Sequence, residues 1–183
     1  YYDQIPASLQ NAMNDFYQLT GRRYSMVEDY RMDDAEYALV AMGGASETAM
    51  ATVDYIREEI GIPVGVTNIS VFRPFPGPAI VEALKNVKSF SVLERMDNPL
   101  AQSNPLTAEI KSAFLDAMNG APGYPEIDRV PDILSGAGGL GSRDVRPGDF
   151  ISMVENMREK NPKRFFVIGI KHDLSLDISL DPD

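Results

Sequence analysis

Tyr37-Ala-Leu-Val-Ala-Met42, running straight into Gly43-Gly44-Ala45-Ser46, decides the fold. An apolar run of strand length that breaks on paired glycines reads as a strand ending in a turn. The stretch behind it carries Ala49, Val53, Ile56 and Ile60 at helical spacing, and Gly61 with Pro63 stops it. The unit is therefore strand, turn, helix, within the larger block Asp34 to Thr48. The same grammar repeats downstream. A second strand, Val64 to Phe72, breaks at Arg73-Pro74-Phe75-Pro76, and a short helix follows over Pro78 to Lys85. A third strand, Ser89 to Leu93, breaks at Glu94-Arg95-Met96-Asp97, with a loop rich in Asn and Pro behind it. A helix over Thr107 to Met118 is apolar at Ile110, Ala113, Phe114 and Ala117.

After the Gly/Pro loop Asn119 to Pro125, the pattern predicts a fourth strand near Ile127 to Val130 and a glycine cluster, Gly136 to Gly141. A helix starts near Pro147, since proline suits a first helical turn. A fifth strand spans Phe165 to Ile170. Strands alternating with helices at this spacing predict a three-layer α/β/α fold around a mostly parallel five-stranded sheet. Functional loops then gather at the carboxyl ends of the strands.

Two flanks lie outside this frame. Leu9, Ala12, Met13, Phe16 and Leu19 predict an amphipathic helix over residues 6–20, capped by Gly21, with a polar, irregular lead-in from Tyr24 to Asp33. At the far end Leu174, Leu176, Ile178 and Leu180 alternate with Ser and Asp. That is a half-buried strand pattern, expected to pair with something beyond the domain. The domain organisation expected is residues 1–23 as a connector helix and 24–183 as one domain, with 171–183 leading to a following domain.

Composition narrows the function. The 183 residues suffice for one sizeable domain, and 44% apolar and 24% charged content are ordinary for a globular protein. No run of eighteen apolar residues and no basic, apolar leader is present, so a cytoplasmic location is expected. With no cysteine there is no disulfide, no thiol nucleophile and no iron–sulfur cluster in this chain. His172 is the one histidine, which excludes a multi-histidine metal site, although carboxylates alone can hold magnesium or calcium. A formal charge of −10 argues against nucleic acid and anionic membrane surfaces as partners. The chain starts at Tyr1 rather than Met, read either as processing or as a piece of a longer polypeptide.

The residues that can carry chemistry each admit a plain alternative. Gly43, Gly44 and Ser46 sit where backbone N–H groups can hold an anion, or form a simple turn with Ser46 as helix cap. Arg73 can clamp a carboxylate or pin its own loop to another domain. Glu94 and Arg95 can form an ion pair, Glu94 and Asp97 can hold a hard cation, or the group is a charged rim ordering the loop 98–105. Gly139, Gly141, Arg143 and Asp144 form a turn suited to close approach by a ligand or another domain. His172 is an isolated general acid or base, or a surface residue. No Gly-x-Ser-x-Gly elbow supports a hydrolase. Residues alone thus give an α/β domain without a self-sufficient active site.

In their order, Asp34 to Thr48, Arg73-Pro-Phe-Pro76, Glu94-Arg95 with Pro105-Leu106, Gly139 to Asp144 and Phe166-Val-Ile-Gly-Ile170 resemble the second domain of the 2-oxoacid:ferredoxin oxidoreductases. The resemblance runs from about Tyr24 to Leu180. It departs from the family pattern at Glu94, where Asp is common, in the Asn-rich loop Met96 to Asn104, and at His172, where Asn is frequent. It implies a fold like the C-terminal domain of transketolase and a parent enzyme that oxidatively decarboxylates a 2-oxoacid such as pyruvate to its acyl-CoA. It also implies that thiamine diphosphate with Mg2+, 4Fe–4S clusters and the co-substrate CoA belong chiefly to other domains, which also serve ferredoxin or flavodoxin. This chain would hold no cofactor, would have no catalytic residue, and would pack against the thiamine-binding and iron–sulfur domains. Two other readings stand beside it: the equivalent domain of a transketolase or dehydrogenase E1 β chain, and a stand-alone module binding phosphate or a nucleotide at Gly43-Gly44.

Overall fold

The computed structural model describes residues 1–180. Its centre is a six-stranded sheet in the order β1-β3-β2-β4-β5-β6, formed by β1 (Val27–Tyr30), β2 (Tyr37–Ala41), β3 (Val64–Ile69), β4 (Ser89–Glu94), β5 (Asp132–Ala137) and β6 (Phe165–Val167). All pairings are parallel except that of β1 with β3. The central strands read as near-continuous apolar runs because both of their faces are covered. Ala38 and Val40 of β2 point to one face and Leu39 to the other, as strand alternation requires.

Helices α3 (Gly77–Leu84) and α4 (Pro105–Met118) cover the first face through Ile80, Leu84, Ile110 and Phe114, with Phe114 stacked on Phe90 of β4 at 5.8 Å between ring centres. Helices α2 (Gly44–Tyr55) and α5 (Pro147–Arg158) cover the second through Ala49, Val53, Phe150 and Met153. The three-layer α/β/α architecture expected from the sequence is therefore present. Helix α2 continues as a π turn, Ile56–Ile60, and stops at Gly61, whose φ of 77° closes it.

The sheet has six strands rather than five, because the lead-in 24–33 contains β1. Its sequence, Val-Glu-Asp-Tyr, is too polar to announce a strand. It is held at the edge by polar pairs instead: Thr67 Oγ1 donates to Asp29 Oδ1 at 2.9 Å, and Asn68 Nδ2 to Glu28 Oε2 at 3.2 Å, each pair directly opposed in the register. The fourth predicted strand is also displaced. Residues 127–130 are loop and the strand is Asp132–Ala137, so Gly136 belongs to the sheet rather than to the turn. A Cβ on Gly136 would lie 2.4 Å from the Phe166 ring, which shows why a glycine occupies the strand.

The alternating tail pairs inside this domain, correcting the expectation that its partner lies elsewhere. Val167 N–H donates to the Leu176 carbonyl and Ile178 N–H to the Val167 carbonyl, both at 3.2 Å. Ile178 packs on the second core, while Leu174 stays 89% exposed. The predicted first helix is α1 (Ile5–Thr20), closed by Gly21 at φ 73°, but none of its side chains is buried.

Candidate functional site

Chain direction places the site. From β2 the chain passes through α2 to β3 on one side, then recrosses through α3 to β4 on the other. The carboxyl ends of β2 and β4 therefore flank a topological switch point, where open α/β sheets form a crevice. The segment after β5 adds a roof. It does not continue to the face of α4; it turns back across the strand ends to start α5, which packs beside α2. That return makes β5-α5-β6 opposite in hand to the other crossovers and carries Arg143, Asp144 and Val145 over the switch point.

Gly139 makes the return possible. Its φ of 71° is in the left-handed region, and a Cβ there would sit 3.1 Å from Arg95 Nε. Its carbonyl accepts from Arg95 Nη2 at 3.2 Å, tying the turn after β4 to the turn after β5. Gly141 adopts φ 61°, and the Leu140 carbonyl accepts from Arg143 Nη1 at 3.3 Å.

Two adjoining clefts result. One, of about 490 Å³, is lined by Gly44, Thr48, Arg95, Arg143 and Asp144. The other, of about 370 Å³, is lined by Phe72, Leu93, Glu94, Met96 and Leu106. Met42, Ala45, Arg95 and Val145 border both. Five of the residues singled out from sequence thus meet here: Gly44, Glu94, Arg95, Arg143 and Asp144. Met42, Thr48 and Phe72 were not singled out, although the position of each just beyond a strand, or in the turn that follows one, was the available signal.

Glu94 forms neither the ion pair nor the cation site weighed above. Its Oε2 accepts from Leu106 N–H at 2.7 Å, and its Oε1 accepts from both Thr107 N–H and Thr107 Oγ1 at 3.0 Å. Both oxygens are committed to the first turn of α4, where a carboxylate also meets the positive end of the helix dipole. Asn104 braces the same junction: its N–H donates to Ser135 Oγ at 3.1 Å, and its Oδ1 accepts from Asn98 N–H at 3.0 Å. The charged turn does order the loop, and does so through Glu94. Asp97 is exposed and borders a separate hollow beside His172, away from the crevice.

Ser46 does not cap α2. It is buried and donates to Asn68 Oδ1 at 2.8 Å, joining α2 to β3, while the N-cap Gly43 (φ 67°) offers no side chain. Arg73 ties its loop to this domain's own α4 rather than to another domain. It donates to Glu109 Oε1 of α4 at 2.5 Å, and its guanidinium lies 4.1 Å from the Phe72 ring centre. Pro74 and the start of α1 share a shallow hollow with it. His172 Nδ1 accepts from Leu174 N–H at 3.1 Å within a surface turn, and the Ser175 hydroxyl bonds the His172 backbone rather than its ring.

Among the described residues, no three His, Asp or Glu side chains come together as a metal site. With Glu94 held by α4, the donor set does not fit a thiamine diphosphate–magnesium site, and no chemical step is assigned to one in this chain. No helix among the described residues is long and apolar enough to cross a membrane.

Residues 35–150 match the family described as Pyruvate:ferredoxin oxidoreductase core domain II. The chain belongs to that family. The match begins within the lead-in to β2 and ends in α5, so it contains the whole crevice. The chain is also 34% identical, over its entire length, to a putative pyruvate-flavodoxin oxidoreductase of Synechocystis sp., of which it spans 14%. It is 32% identical to a pyruvate-flavodoxin oxidoreductase of Nostoc sp., again over the whole chain and 16% of that protein. A probable pyruvate-flavodoxin oxidoreductase of Escherichia coli (strain K12) is 31% identical over 96% of the chain, which spans 15% of it. As a core domain II, this chain corresponds to a small part of each relative's length.

Proposed function

We propose that this chain is a structural, interdomain unit of a pyruvate:ferredoxin or pyruvate:flavodoxin oxidoreductase, the enzyme that converts pyruvate and CoA to acetyl-CoA and CO2 with transfer of two electrons. The observation that carries this reading is that relatives named pyruvate-flavodoxin oxidoreductase align with the chain from end to end. In this reading thiamine diphosphate, Mg2+ and the iron–sulfur clusters lie on other domains, which also meet the electron acceptor. That division fits a chain without cysteine and with Glu94 of the crevice tied to a helix. The assembled enzyme is placed in the cytoplasm.

The packing role draws support from α1. Phe16, Tyr17 and Leu19 are exposed on a helix with nothing buried, which suits residues 1–23 as a connector lying between domains. The exposed Leu174, Leu176 and Leu180 suit the tail as the lead to a following domain. Gly141, Arg143 and Asp144, in the turn that roofs the crevice, are the candidate contacts with a neighbouring domain.

The test is a chimera. The matching segment of the Escherichia coli relative is replaced by this chain, and pyruvate- and CoA-dependent reduction of flavodoxin is measured. Restored turnover, with none from this chain alone, supports the reading. A folded, cofactor-loaded chimera that fails to turn over pyruvate would sink it.

A further inference from the structure

The crevice at the switch point carries charge and apolar surface that the domain's own packing does not use. Arg95 and Arg143 meet only the carbonyls of Gly139 and Leu140. Neither has a carboxylate within ion-pair reach among the described residues, whereas Arg31, Arg57, Arg73 and Arg164 are each paired with one. Asp144 is the one carboxylate on the polar lobe. Glu94, on the other lobe, keeps its charge, but both of its oxygens are already hydrogen-bonded to the first turn of α4. On the polar lobe two guanidiniums against one carboxylate leave a net positive lining in a chain of formal charge −10.

The adjoining lobe is apolar in character, with Phe72, Leu93, Met96 and Leu106 on its walls. Met42 and Met96 are 37% and 46% exposed, so large apolar side chains face water beside the guanidiniums. Methionine surfaces adapt to ligands of varied shape. Lobes of about 490 and 370 Å³ are of small-molecule size.

We propose that this crevice binds a small organic monoanion with an apolar body, of the medium-chain or aryl carboxylate class. The carboxylate lies between Arg95 and Arg143, where a guanidinium can bind it through paired N–H bonds. The body lies over Met42 and Met96, displacing water from surface that is otherwise exposed. The inference concerns this domain alone and is independent of the parent reaction.

Octanoate is the probe, with acetate and 1-octanol as controls, titrated into the 15N-labelled chain and followed by amide shifts. The expected result is saturable shifts at Gly44, Ala45, Arg95 and Val145, with octanoate binding about tenfold or more tighter than either control. Arg95→Gln with Arg143→Gln lowers octanoate to the level of octanol and leaves octanol unchanged. Ala45→Leu, which fills the border of both lobes, removes both. If the arginine variants fail to fold, the octanoate–octanol comparison on the native chain decides. Equal binding of the two, shifts confined to other surfaces, or no saturation overturns the proposal.

Discussion

Thr107 grips the Glu94 carboxylate twice, its backbone N–H and its hydroxyl both donating to Oε1 at 3.0 Å. A residue at the end of a strand thereby serves as the cap of the next helix, and β4 and α4 are locked together at the crevice. Glu94→Ala strands the N–H groups of Leu106 and Thr107, and a cost of about 1–3 kcal/mol is expected. Urea unfolding measures it; a loss within error of zero would show that water replaces the carboxylate at no cost.

Two buried serines should behave oppositely. Ser135 Oγ accepts from Asn104 N–H and donates to Thr107 Oγ1, whereas Ser91 Oγ is buried with no hydrogen-bond partner. Ser135→Ala should cost about 1–2 kcal/mol, and Ser91→Ala should be neutral or stabilising. Melting temperatures of the two variants side by side provide the comparison.

Gly136 and Phe166 should be coupled. A methyl at 136 overlaps the Phe166 ring, so Gly136→Ala should cost about 1–3 kcal/mol. Phe166→Leu removes the overlapping ring at its own packing cost. The double variant should lose less than the two singles added, and strict additivity in a double-mutant cycle would argue against the overlap.

The β1 edge should respond to acid. The Tyr30 hydroxyl, donating at 2.7 Å, and then Arg31 hold the Asp54 carboxyl below its ordinary value of 3.8. A carboxylate depressed in the folded state stabilises it above the unfolded pKa, and that contribution is lost as pH falls through the folded pKa. Asp54→Asn should therefore lower stability at pH 7 by about 1 kcal/mol or less, as is usual for exposed pairs. The gap should begin to narrow near pH 3.8 and close once pH falls below the lower folded pKa, and a gap that does not narrow on acidification would exclude the carboxylate's charge as its source.

The layers and the loops at the strand ends were legible because parallel strands covered on both faces write themselves as apolar runs such as Tyr37 to Met42. β1 was not, because Glu28 and Asp29 are strand residues only by virtue of Asn68 and Thr67 opposite them. Of the site, Arg95, Arg143 and Asp144 could be suspected one by one. Their convergence could not, since it depends on α5 returning to the side of α2, and short-range periodicity carries no record of that return. That Glu94 orders the loop behind it could be read from the sequence, but not that it does so through Leu106 and Thr107, twelve and thirteen residues away.

The lack of any buried side chain in α1 sets two clocks within one chain. A sixteen-residue helix with no fully buried side chain draws little tertiary support and is marginal in water, so its amides should exchange with solvent deuterium through local fraying. Leu39 and Val92, fully buried on the central strands, should exchange only when the whole domain opens. A partner that seats on α1 would slow the first clock and leave the second untouched, so exchange rates at residues 9–20 would report assembly without any probe attached to the core.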